Sequence, residues 1–173
     1  MNRRSLWMAG VGVAAAAAGA GVAWWRLRPG AVLDGAERAF WAGAFPGVKG
    51  ETVSMAGFRG RPLLVNFWAT WCPPCVDELP LINGFYREHA ASGWQVLGLA
   101  VDQAAPVTRF LTHTPLDFGV ALAGFAGTEL SRSLGNASGA LPFSVVFAAD
   151  GTVKHRKLGK VSPQELALWA QIA

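Results

Sequence analysis

The sequence predicts an α/β domain, a mixed central sheet with helices on both faces, preceded by an N-terminal transmembrane helix. Three observations predict it. Two runs, "LLVNFW" (63–68) and "WQVLGLAV" (94–101), are apolar almost throughout, and each is followed by a helical pattern. Such runs suit strands covered on both faces, and strands joined through helices run parallel. Further on, "FSVVFA" and "TVKHRKLG" flank Asp150-Gly151, a strong hairpin signal that adds antiparallel strands. Finally, Ser5 to Trp25 carries no charge. At about 1.5 Å per residue, a helix of that length spans roughly 30 Å, the thickness of a bilayer's hydrocarbon core.

The elements come in order. Arg3 and Arg4 precede the apolar segment, which favours a cytoplasmic N-terminus and export of the chain beyond the segment; Trp24 and Trp25 suit the interfacial aromatic belt. Ala18-Gly19-Ala20 has the form of a cleavage site, so a removed signal peptide is one alternative to an anchor, and a buried helix of the soluble domain is another. "NRRSLW" is also similar to a twin-arginine export signal, which leaves the export route open. Residues 1–28 are thus read as an anchor or signal segment, 29–49 as a glycine-rich connector with Trp41 and Phe45, partly packed on the domain, and 50–173 as the folded domain.

Within that domain, "ETVSMAGFRGRP" reads as a short strand and a turn leading into "LLVNFW". A helix from about Pro73 to Ala91 presents Leu79, Ile82, Phe85 and Tyr86 to the core, and Pro80 removes a backbone donor inside it, which predicts a kink. "APVTRFLTHT" is the next helix, ending before Pro115, and "TELSRSLG" a short one closed by Gly135. Ser162 as N-cap, Pro163 at the first helical position and Glu165 as the partner of a capping box open the last helix. The order of these elements implies the mixed sheet.

Charge removes one class of function. The chain has fifteen basic residues against eleven acidic ones. Four of the arginines, Arg3, Arg4, Arg26 and Arg28, lie before Pro29 with no acid among them, so the rest balances at eleven against eleven. No basic stripe interleaved with aromatics remains, which argues against nucleic acid as a partner.

The chemistry lies in "NFWATWCPPCVDELP", where the only two cysteines stand two residues apart after a buried strand. A structural disulfide gains its effect from the loop it closes, and Cys72 and Cys75 close almost the smallest loop possible. A zinc site needs about four ligands, and His89, His113 and His155 stand singly with no ligand spacing. The remaining reading is a redox pair. At a helix N-terminus, unpaired N–H groups and the macrodipole stabilise a thiolate. Cys72, nearest those groups, is the expected exposed nucleophile, and Cys75, one turn deeper, the resolving thiol. Pro73 and Pro74 sit where the helix needs no backbone donor.

The stretch "FRGRPLLVNFWATWCPPCVDELP", continued through "GLAVDQ" and "SLGNASGALPFSVVFAADGTVKHRKLG" to the last helix, resembles the TlpA/ResA group of thioredoxin-like proteins. These are membrane-tethered thiol–disulfide oxidoreductases of the bacterial cell envelope. The resemblance covers roughly Gly50 to Ala173 and implies a thioredoxin-like fold, a working Cys72–Cys75 pair and no bound cofactor or metal. It makes Leu141-Pro142 the cis-proline loop that lines the substrate cleft, with an ordinary trans turn as the alternative. It gives Glu78 the place of a carboxylate near the cysteines, trading a proton with Cys75; a solvent-facing helix glutamate is the alternative. Trp71, which would shield the pair or pack on the helix, and Pro73 complete the expected substrate-binding surface. Asp77 is read as surface charge. The implied partners are client protein disulfides, a membrane thiol reductant as electron donor and the lipid bilayer through residues 5–25, with the redox domain of a monomer in the periplasm. Export as a soluble protein is the other localisation.

Departures from the pattern shape the function. The "GVYGAPET" type of signature of the cytochrome c maturation branch called CcmG is absent, and "GNASGALPFSV" stands in its place. Cytochrome c maturation is therefore one candidate client process among others. The Pro-Pro dipeptide lacks the histidine of strongly oxidising relatives, which favours a reductant over a disulfide-forming oxidant. A peroxidase would need a T-x-x-C spacing, whereas Thr70 is two residues before Cys72. A copper chaperone of the Sco type would need C-x-x-x-C and a distant histidine.

Overall fold

The computed structural model describes residues 29–172, with side chains from Gly35. The expected membrane segment lies outside the described residues; among these, no helix is long and apolar enough to cross a membrane. The chain divides after Ala36 into two units, and the second carries the sheet and the cysteine pair.

The elements are α1 (Pro29–Ala42), β1 (Ala44–Pro46), β2 (Thr52–Ser54), β3 (Leu63–Trp68), α2 (Pro73–His89), β4 (Gln95–Ala100), α3 (Ala104–His113), β5 (Gly119–Leu122), α4 (Gly127–Ser133), β6 (Phe143–Phe147), β7 (Val153–Leu158) and α5 (Pro163–Trp169). Five strands form one sheet in the order β5-β4-β3-β6-β7. β3 runs parallel to β4, and β4 to β5, while β6 is antiparallel to both β3 and β7. This is the expected mixed sheet. Every residue of β3, β4 and β6 is buried, so both faces of the sheet centre are covered.

The local signals act as their chemistry requires. Ser162 accepts from the Glu165 amide while the Glu165 carboxylate accepts from Ser162 N at 2.9 Å, completing the capping box of α5. Gly151, at φ 86°, supplies the left-handed residue of the β6–β7 turn. α2 is assigned continuously through Pro80, with Leu79, Ile82 and Phe85 buried.

Two elements depart from the sequence reading. Residues 29–49, a connector by sequence, contain α1 and β1, and β1 pairs with β2 to form a separate two-stranded sheet. Phe40 and Trp41 are buried, packed on each other and on Phe147 of β6. Trp41 also donates from Nε1 to the Gly151 carbonyl at 2.8 Å. The glycine and alanine of this stretch hide a helix that only its two aromatic anchors betray. The sequence also gives no sign of β5, because "GVAL" is short and glycine-led, with no run or alternation to mark it.

The topology fixes one end of the sheet as the place for chemistry. β3 and β4 both end there, and their pairing is extended by a hydrogen bond from Val101 N to Trp68 O at 2.8 Å. β6 begins there, since Phe143 lies opposite Phe67. Residues just after β3, just after β4 and just before β6 therefore converge.

Candidate functional site: a cysteine pair at a helix N-terminus

Cys72 is the N-cap of α2, in extended conformation, and Pro73 and Pro74 occupy the first helical positions, where a missing N–H removes no helical bond. Its carbonyl accepts from Cys75 N at 3.0 Å and Val76 N at 3.1 Å, closing the first turn. Cys72 and Cys75 are joined as a disulfide, with their Cα atoms 5.3 Å apart. Cys72 retains 5% of its surface and Cys75 none. Both cysteines are thus buried with the disulfide closed, where the sequence predicted an exposed Cys72; Cys72 is the one of the two that keeps any surface.

The approach to Cys72 is held from β4. Asp102, buried just past the end of that strand, accepts at Oδ2 from Thr70 N (2.9 Å) and Thr70 Oγ1 (2.6 Å), and at Oδ1 from Gln103 N (2.7 Å). Three hydrogen bonds on one carboxylate fix the residues that lead into the cysteine turn. Trp71, next along, is 61% exposed. It stands at the rim beside the pair and offers an apolar face to solvent.

Leu141-Pro142 is a cis peptide bond, as the resemblance implies. Pro142 precedes the residue opposite Phe67, which puts it level with Trp68 at the same sheet end as Cys72. Its carbonyl accepts from Gly159 N at 2.8 Å. Leu141 is half-buried against the apolar cluster that contains both cysteines. The structure thus brings Trp71, Cys72, Pro73, Leu141 and Pro142 to one end of the sheet.

Glu78 is not a solvent-facing helix residue. It is 1% exposed, one turn beyond Cys75 on α2. Its Oε1 accepts from Asn66 Nδ2 at 2.7 Å and its Oε2 from Val161 N at 2.7 Å. Burial raises its pKa above the ordinary glutamate range, and the two hydrogen bonds and Lys160 oppose that shift only in part. A carboxyl held this way keeps its proton to higher pH than an exposed glutamate and is placed to exchange it. Asp77, by contrast, faces solvent and pairs with Lys160 at 3.3 Å.

Sequence reasoning missed Asn66, Ser144 and Asp102. Asn66 Nδ2 reaches Ser144 Oγ at 3.1 Å as well as Glu78. The visible signal was a polar residue in each of two otherwise apolar strands, "LLVNFW" and "FSVVF". A buried polar side chain needs a partner, so the two were candidates for each other. Among the described residues, no group of three or more His, Cys, Asp or Glu side chains could hold a metal ion.

The chain is similar to known proteins in sequence and in fold. The sequence profile described as Redoxin matches residues 36–168. A thiol-disulfide oxidoreductase ResA from Bacillus cereus (strain ZK / E33L) is 29% identical over 126 residues, covering 72% of this chain and 70% of its own. The sporulation thiol-disulfide oxidoreductase A of Bacillus subtilis (strain 168) is 24% identical over 128 residues, 72% and 74% of the two chains. Among solved structures, a thiol:disulfide interchange protein of the thioredoxin family from Chlorobium tepidum TLS superimposes with a TM-score of 0.65 at 28% identity, over 76% of this chain and 92% of its own.

Proposed function

The chain belongs to the Redoxin family, and from that premise we propose that it is a thiol–disulfide oxidoreductase that reduces protein disulfides through a Cys72–Cys75 cycle. The observation that carries the reading is the pair itself: Cys72 with a little of its surface left and Cys75 with none, at the N-terminus of a helix and at the same sheet end as a cis proline.

The difference in exposure between Cys72 and Cys75 supports the following cycle. The Cys72 thiolate attacks one sulfur of a client disulfide; that S–S bond breaks, a mixed disulfide forms and one client thiolate leaves. Cys75 then loses its proton and attacks the Cys72 sulfur, which releases the second client thiolate and leaves Cys72–Cys75 oxidised. Two electrons have passed to the client. Glu78, buried one turn from Cys75, takes the Cys75 proton and returns it when the pair is reduced again. Trp71, Pro73, Leu141 and Pro142 form the surface that receives the client chain.

We place this domain outside the cytoplasm, held by residues 5–25 in the bilayer and re-reduced by a membrane thiol reductant. Arg3 and Arg4 before an uncharged segment support that orientation. Retention of the chain in carbonate-washed membranes tests the anchor; release into the wash speaks for cleavage.

The direction of electron flow is tested by equilibrating the full chain against glutathione buffers. A potential near or below roughly −230 mV, toward thioredoxin, makes it a reductant. A value near about −120 mV makes it a disulfide-forming oxidant and overturns that part of the reading.

A further inference from the structure

Asn66 lies in the middle of β3, opposite Ser144 on one side and Gly98 on the other, with none of its surface exposed. Its Nδ2 serves both Glu78 Oε1 and Ser144 Oγ, yet its Oδ1, equally buried, meets no donor among the described residues. A buried acceptor left unpaired costs about 1–3 kcal/mol. The other end of the amide already serves Glu78 and Ser144, so it is the unpaired oxygen that calls for a use.

The use follows from Glu78. Its Oε2 faces Val161 N–H, a main-chain group that can only donate. A proton on that oxygen in the same direction would oppose two hydrogens. An arriving proton therefore belongs on Oε1, and there Asn66 also presents a hydrogen. The carboxamide resolves the conflict. Its two ends are nearly equal in size, so a half-turn replaces Nδ2 by Oδ1 in the same space. Ser144 can follow, because a hydroxyl accepts from Nδ2 in one arrangement and donates to Oδ1 in the other.

We infer that Asn66 turns its amide over when Glu78 takes up a proton, so that one side chain supports both states of the carboxyl. Either arrangement leaves one end of the amide unpaired, and the proton on Glu78 decides between them. Asn66 is a positioning residue; it touches neither client nor sulfur in this role. The inference deepens the proposed cycle, whose proton transfer it serves, and rests on it only for its purpose. The step is balanced: Cys75 S–H gives its proton to Glu78 Oε1, leaving a thiolate and a neutral carboxyl whose O–H donates to Asn66 Oδ1. The charges around Glu78 set where it titrates. Lys160 favours the ionised form and Glu165 the neutral one. Lys160 is shared with Asp77 at 3.3 Å and Glu165 with Lys157 at 2.6 Å.

The test is nuclear magnetic resonance on the isotope-labelled full chain, with the Glu78 carboxyl carbon assigned through Glu78→Gln. The Asn66 side-chain N–H pair should change with the same midpoint as that carbon. Its proton–proton contacts should move from Ser144 to the opposite side of the amide as pH falls. Contacts that stay with Ser144 throughout the Glu78 titration overturn the inference. Independently, Asn66→Leu should slow release of the mixed disulfide at least about tenfold while the first attack by Cys72 keeps its rate; equal release rates overturn it as well. A chain that exchanges no disulfides but still turns the amide refutes the proposed cycle and leaves this inference standing. Exchange without turning does the reverse.

Discussion

Phe40→Ala removes a ring that is 1% exposed and stacked on Phe147 with centroids 4.8 Å apart and planes 6° from parallel. The same ring meets Trp41 edge-on at 5.1 Å. Truncating a buried phenylalanine costs about 3–5 kcal/mol in transfer and cavity energy, and two aromatic contacts place this site in the upper half of that range. A loss of about 4 kcal/mol is a large share of the roughly 5–15 kcal/mol that holds a domain of this size. The change should nonetheless leave the chemistry alone. Phe147 is at the far end of β6 from Pro142, roughly 17 Å away at about 3.3 Å per residue. Urea unfolding of the oxidised chain reads the loss, and disulfide exchange per folded molecule reads the site. A loss below about 1 kcal/mol would mean that the helix carrying Phe40 is an appendage, and the reasoning that makes it part of the core would fail. A slowed exchange at full folding would break the claimed separation of the two ends of the sheet.

Glu78→Gln should change how stability depends on pH. Burial raises the folded-state pKa of Glu78 above its unfolded value, so the folded chain holds the proton more tightly. Its contribution is fully present below the unfolded value and is lost as pH rises through the folded one. Urea midpoints of the wild type should therefore fall across that window, while Glu78→Gln loses this part of the slope; identical slopes would refute the assignment. Thr70→Val deletes the 2.6 Å hydrogen bond to Asp102 and should cost about 1.5–3 kcal/mol in thermal unfolding, with Thr70→Ser recovering most of it. Equal melting of wild type and Thr70→Val would mean that the Asp102 clamp contributes nothing.

Much of this was legible in the sequence, and the reason is physical. β3 and β4 announce themselves because strands covered on both faces have no polar face to show. The Pro-Pro turn between Cys72 and Cys75, the Asp150-Gly151 hairpin and the Ser162–Glu165 box are local devices whose residues state their geometry. What escaped depends on contacts distant in the chain. The helix around Phe40 draws its support from Phe147, more than a hundred residues away, and not from its own composition. β5 is a strand because β4 lies beside it. The partners of Glu78 come from β3 and from the segment after β7, so spacing along α2 could suggest its burial but not who satisfies it. Asp102 belongs to the site because β4 ends level with β3, a matter of register.

The ordered cycle is the centre of the account, and trapping tests it most directly. Full chains carrying Cys75→Ser or Cys72→Ser are mixed, reduced, with a protein disulfide and resolved without reductant. The exposures predict a covalent complex through Cys72 in Cys75→Ser and none in Cys72→Ser. Equal trapping by the two variants, or a complex formed through Cys75, would contradict it.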